Sequence, residues 1–114
     1  MTRAMYQDVF PNELSLWTRR GATLLDVREP QEYAQGHVPG SLNVPLGELL
    51  GRLGEIRGPV VTVCASGSRA ALAAEVLGYE GFAEVGRLLG GIQGYARHGY
   101  PLAGRLAPAE AACS

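Results

Sequence analysis

Residues 59–77, PVVTVCASGSRAALAAEVL, pass from a β-branched apolar run to a helical pattern across one small-residue loop, and few folds accommodate that junction. Pro59 to Val63 reads as a buried strand, because a short β-branched run of this kind offers solvent almost no polar face. AALAAEVL reads as the helix that follows. Cys64 therefore stands at a strand end, with Ala65, Ser66, Gly67, Ser68 and Arg69 forming the loop that opens the helix. Backbone N–H groups converge at such a junction, and together with the helix dipole they favour an anionic sulfur over a neutral thiol. Arg69 adds a fixed positive charge. The pattern predicts a reactive-cysteine cradle, with Cys64 as nucleophile and residues 65–69 as its binding loop. Gly67 is expected to supply a left-handed backbone position or a close approach to the sulfur.

The rest of the chain alternates short apolar runs with helical patterns, which predicts α/β architecture around a mostly parallel sheet. Strands are expected at Tyr6–Val9, Thr23–Val27, Ser41–Val44, Pro59–Cys64 and Phe82–Leu88, with the fourth at the centre. Helices are expected at Pro11–Arg19, with Leu14 and Trp17 inward, at Glu29–Gln35, and at Leu46–Leu53, whose leucines keep helical spacing. The helix from Ser68 is expected to pack Leu72, Ala73, Val76 and Leu77 and to end on Gly78, and a last helix covers Ile92–His98 with Tyr95 in the core. In parallel sheets ligands bind beyond the carboxyl ends of the strands, where Cys64 falls.

At 114 residues the chain can bury one substantial core without metal or disulfide, so residues 1–104 are read as one domain and 105–114 as a disordered tail. A net charge of −1 argues against a nucleic-acid partner or an acidic membrane surface. All ten basic residues are arginine, which excludes lysine nucleophiles and Schiff-base chemistry. MTRAMYQDVF lacks a continuous apolar core and no stretch approaches a membrane span, so a cytoplasmic location is expected. Cys113 lies in the tail and is read as unimportant rather than as a disulfide partner of Cys64. His37, His98 and Cys64 lack metal-ligand spacing, and neither a metal nor a cofactor is expected.

Three segments in order, LLDVREPQEYAQGHVPGSLNVP, VVTVCASGSRAALAA and GFAEVGRLLGGIQGYARHGYP, resemble the signatures of single-domain rhodaneses, from Leu24 to about Leu102. The resemblance implies a rhodanese-like α/β fold, a central five-stranded, mostly parallel sheet flanked by helices on both faces. It also implies a sulfurtransferase: Cys64 takes sulfane sulfur from thiosulfate or a persulfide donor and passes it to cyanide or a thiol through a cysteine persulfide. A sulfur-carrier protein is a further possible partner. Four residues separate Cys64 from Arg69. Cysteine-dependent phosphatases use a loop one residue longer, sized for a phosphoryl group, so a phosphatase or arsenate reductase of the same fold is the weaker reading. A sulfur-relay or regulatory binding module is the non-enzymatic alternative.

Arg69 either contacts substrate or ties the loop to a carboxylate such as Glu29 or Glu32. Asp26 and Arg28, at the end of a buried strand, are read as a structural ion pair, and His37, in GHVPGS, as a loop-pinning imidazole. Two positions depart from the family pattern. Ala65 stands where thiosulfate-preferring members carry a basic residue, which lowers the expected affinity for a dianion, and Tyr95 stands where many carry tryptophan.

Overall fold

The computed structural model describes residues 6–104. The tail residues 105–114 and Cys113 lie outside the described residues. Five strands form one sheet: β1 (Gln7–Val9), β2 (Thr23–Asp26), β3 (Leu42–Asn43), β4 (Val60–Val63) and β5 (Val85–Leu88). Their order is β1-β5-β4-β2-β3 and every pairing is parallel, with Asp26 beside Val63 and Thr62 beside Arg87. All four residues of β4 are buried, as expected of a central strand covered on both faces.

The helices are α1 (Leu14–Arg19), α2 (Pro30–Ala34), α3 (Ser68–Tyr79) and α4 (Gly91–Arg97). One face of the sheet packs Leu25, Val27, Val60 and Val85 against α3 and against Leu49 and Ile56. The other packs Val9, Leu24, Val61, Val63 and Leu88 against Leu14 and Trp17 of α1 and Ile92 and Tyr95 of α4. Alternate residues of each strand thus serve opposite cores.

The chain leaves β2 toward β3 and leaves β4 toward β5, in opposite directions from two adjacent strands. A crevice opens between the carboxyl ends of strands arranged in this way. Both loops that flank it carry residues singled out above.

Several local expectations are corrected. Leu72 is 52% exposed, and α3 instead buries Ala70, Ala73, Ala74 and Leu77. Those alanines sit at helical spacing on the sheet side and let the backbone approach closely, which turns Leu72 outward. The helix does not end at Gly78. It runs to Tyr79, and Gly81 takes the left-handed position, with Gly81 N–H on the Gly78 carbonyl (3.2 Å) and Phe82 N–H on that of Leu77 (3.0 Å). The expected helix Leu46–Leu53 is a 3₁₀ segment, Leu46–Glu55, broken at Arg52, with Leu49 buried and Leu50 at 64% exposure. β5 begins at Val85 rather than at Phe82.

Candidate active site

Cys64 follows β4 directly and is 1% exposed. Its Sγ accepts the N–H of Gly67 at 3.0 Å and that of Ala70 at 3.3 Å. The first donor requires the chain to double back, which Gly67 achieves at φ +119° as the N-cap of α3. No side chain caps this helix. Ala71 N–H reaches the Gly67 carbonyl (3.0 Å) and begins the helical ladder, so the N–H groups of Ser68 and Arg69 have no intrahelical acceptor. Thr62 holds the first turn in place, its buried hydroxyl donating to the Ala70 carbonyl at 2.7 Å. The sulfur therefore lies at the positive end of a 12-residue helix, against two donors fixed by the backbone.

The reverse side of the loop rests on α4. Ile92 N–H donates to the Cys64 carbonyl at 2.9 Å and Gln93 N–H to that of Ala65 at 3.0 Å. A Cβ at Gly91 would lie 2.5 Å from both carbonyl oxygens, so only glycine lets the two backbones meet.

The side chains around the loop are largely committed to one another. Arg69 turns to Glu32 on α2, donating Nη1–H to Oε1 at 2.8 Å and Nη2–H to Oε2 at 3.0 Å. Glu32 also accepts the Glu29 N–H at 2.9 Å. These bonds, that to Arg69 above all, hold its carboxyl down at about 2, while the pair raises the Arg69 guanidinium. Arg69 thus spans the crevice, from the loop after β4 to the loop after β2, with its charge neutralised. Ser66 and Ser68 are exposed, their hydroxyl oxygens 3.4 Å apart, and neither bonds the sulfur.

Asp26 and Arg28 form a separate buried network. Arg28 Nη2 donates to Asp26 Oδ2 at 2.9 Å and to the Gly36 carbonyl at 2.7 Å, and the Arg28 N–H reaches Asp26 Oδ1 at 3.0 Å. Asn43 closes it, donating Nδ2–H to the carbonyls of Asp26 (3.0 Å) and Arg28 (2.9 Å). His37 stacks on Tyr33 with ring centroids 3.7 Å apart, its Nδ1 lies 2.8 Å from the Tyr33 carbonyl, and its backbone pairs with Ala103. Among the described residues no cluster of three or more His, Cys, Asp or Glu is placed to hold a metal ion.

Sequence reasoning missed the Ala70 amide, the Thr62 tie and Arg87. Arg87 pairs with Asp8 on the neighbouring strand (Nη2 to Oδ1, 2.6 Å) and its Nη1 lies 3.4 Å from the Gly67 carbonyl. The Ala70 amide was foreseeable, since the third N–H of an uncapped helix turns toward whatever precedes it. The Arg87 contact spans 20 residues and carries no local signal.

Comparison with known proteins places the chain in a family. The model of the Rhodanese-like domain matches residues 10–98. A sulfurtransferase of Allochromatium vinosum is 41% identical over 81 residues, 69% of this chain and 76% of that protein. The uncharacterized protein YqhL of Bacillus subtilis is 42% identical over 76 residues, 65% of this chain and 60% of YqhL. The chain thus spans under two-thirds of that relative's length. The crystal structure of a rhodanese-related protein from Thermoplasma volcanium superposes with a TM-score of 0.77 at 33% identity, covering 87% of this chain and 99% of that one.

Proposed function

The chain belongs to the rhodanese-like domain family, and from that premise we propose that it is a sulfurtransferase carrying sulfur as a persulfide on Cys64. The observation that carries the reading is the sulfur's seat: Sγ against the Gly67 and Ala70 amides at an uncapped helix start. In the first half-reaction the Cys64 thiolate attacks the outer sulfur of the donor. An S–S bond forms, the donor's S–S bond breaks, and the leaving group (sulfite from thiosulfate, a thiolate from a persulfide) departs with the electron pair. The terminal sulfur of the resulting persulfide is anionic, and the Ser68 and Arg69 N–H groups are the unspent donors for it. In the second half-reaction cyanide or a thiolate attacks that terminal sulfur, and the electron pair returns to Cys64.

The electrostatics of the mouth bear on the donor. Arg69 is neutralised by Glu32 and Ala65 is uncharged, so a dianion such as thiosulfate meets little net attraction. A persulfide of lower charge, small or borne by a sulfur-carrier protein, fits this entrance better. A phosphatase reading is disfavoured by the four residues between Cys64 and Arg69.

Intact-mass measurement tests the reading. Incubation with a persulfide donor, or with excess thiosulfate, is expected to add one sulfur, about 32 Da, which cyanide removes in a single step. Cys64→Ser is expected to show no adduct, and Cys113→Ser to behave like the parent. An adduct on Cys113 in place of Cys64 overturns the assignment.

A further inference from the structure

Three side chains in register cross the sheet beneath the first turn of α3: Asp8 on β1, Arg87 on β5 and Thr62 on β4. Val60 and Val85, two residues back on β4 and β5, pack under α3, so Thr62 and Arg87 face it too. Thr62 holds the Ala70 carbonyl, and Arg87 reaches the loop itself. Its Nε (2.9 Å) and Nη2 (2.6 Å) both donate to Asp8 Oδ1, and the Tyr6 ring lies 5.8 Å from its guanidinium carbon. That leaves Nη1 to donate to the Gly67 carbonyl at 3.4 Å. The same oxygen accepts the Ala71 N–H at 3.0 Å and has a second lone pair for the guanidinium.

The other end of that peptide is one of the donors left for sulfur. Gly67 and Ser68 are joined by a trans bond, so the Gly67 carbonyl and the Ser68 N–H point in opposite directions. The carbonyl runs along the helix toward Ala71, and the N–H faces out of the helix start. Gly67, at φ +119°, has the greatest backbone freedom of any residue type, so the plane of this peptide is set by what grips its oxygen. A cation on that oxygen also polarises the peptide and strengthens its N–H as a donor.

We propose that Arg87 is a positioning residue for the persulfide: it fixes and polarises the Gly67–Ser68 peptide so that the Ser68 N–H meets the anionic terminal sulfur. The inference rests on the persulfide reading of Cys64. It assigns the two sulfurs to different peptides. Sγ is met by the N–H groups of Gly67 and Ala70, neither of which belongs to the peptide that Arg87 grips. The terminal sulfur is met by the one that does. Arg87 therefore favours the loaded form of Cys64 over the unloaded form, and Asp8 and Tyr6 hold the guanidinium where it can do so.

Sulfur exchange tests this on the full chain carrying Cys113→Ser, so that a single thiol is read. Asp8→Asn keeps the oxygen that Arg87 uses and removes its charge, and Arg87→Met added to it removes the guanidinium without stranding a carboxylate. N-acetylcysteine persulfide passes its terminal sulfur to the Cys64 thiolate and leaves as the N-acetylcysteine thiolate. The loaded fraction at a fixed ratio of the two, read by intact mass, gives the exchange constant. Arg87→Met is expected to lower that constant about fivefold relative to Asp8→Asn alone. Alkylation of unloaded Cys64 by iodoacetamide is expected to stay within about twofold between the same two chains, which a loosened loop would not allow. An unchanged exchange constant, or an equal fall in both readouts, overturns the proposal. Nuclear magnetic resonance of the unloaded, isotope-labelled chain reads the grip without any sulfur donor. Replacing Arg87 is expected to move the Gly67 carbonyl carbon and the Ser68 amide nitrogen upfield, as loss of a donor on a carbonyl does. Unmoved signals in a chain that loads normally overturn the role of Arg87 alone. A parent that takes up no sulfur overturns the persulfide reading, and with it this role.

Discussion

The carboxyl ends of β2 and β4 lie side by side, yet their polar groups are arranged on opposite principles. After β2, the buried charged groups meet protein partners: Asp26 and Arg28 pair at 0% and 8% side-chain exposure, and Gly36 and Asn43 bond what remains. After β4, the loop holds a sulfur by two amides, leaves two helix-start N–H groups without an intrahelical acceptor, and exposes two serine hydroxyls. Closure marks scaffold, because a buried charge is tolerated only when fully matched. Surplus donors around a sulfur suit the proposed chemistry, because they can meet charge that appears during a reaction. One bond pair, Arg69 to Glu32, joins the two ends.

The largest expected effect strikes the closed end. Asp26→Ala strands the buried Arg28 guanidinium and is expected to cost about 3–5 kcal/mol in chemical denaturation. Sulfur transfer per folded molecule is expected to stay near that of the parent. Full stability with lost activity would dissolve the contrast between the two ends.

The next effect falls on the open end. Gly67→Ala has room for its Cβ, whose nearest contacts are Arg87 Nη1 at 3.6 Å and the Gly90 nitrogen at 3.8 Å, so crowding is not the difficulty. The difficulty is φ +119°, which an alanine relieves by rotating the peptide and withdrawing the N–H from Sγ. Losing one hydrogen bond to a charged group is expected to slow persulfide formation by about 10- to 100-fold in stopped-flow kinetics. A rate within twofold of the parent would show that the amide is dispensable.

The smallest effect tests the link between the ends. Glu32 and Arg69 are 36% and 37% exposed, and Glu32→Gln is expected to cost about 0.2–1 kcal/mol at neutral pH. The carboxyl sits at about 2 in the fold against 4.5 ordinarily, so the pair's contribution is complete above pH 4.5 and is lost as pH falls toward 2. Urea midpoints of parent and variant are therefore expected to converge across that window. Freeing the Arg69 charge is also expected to lower the apparent KM for thiosulfate, with a gain that shrinks as salt rises. A gap that stays constant from pH 7 to pH 2 would exclude Glu32 as its source.

The sheet was legible because strands buried on both faces have little choice but to read as apolar runs, as Val60–Val63 does. The cradle was legible because it is local, with cysteine, glycine and helix start inside seven residues. The orientation of α3 was not, since hydropathy ranks Leu72 above the alanines that form its close-packed stripe. Partners distant in sequence were equally silent: Glu32 lies 37 positions from Arg69, and the sequence offered Glu29 on equal terms. Only the opposed departures from β2 and β4 bring α2 to the loop.

The grip of α4 on the Cys64 and Ala65 carbonyls also limits how this site can diversify. A residue inserted beside Cys64 or Ala65 would lift those carbonyls off two amides and press on Gly91, whose Cα allows no substituent there. The start of the ring is thus tied to the register of a helix some 27 residues downstream, counting from Cys64 to Gly91. Of the residues between cysteine and arginine, only those after Ala65 can take an insertion without disturbing that helix.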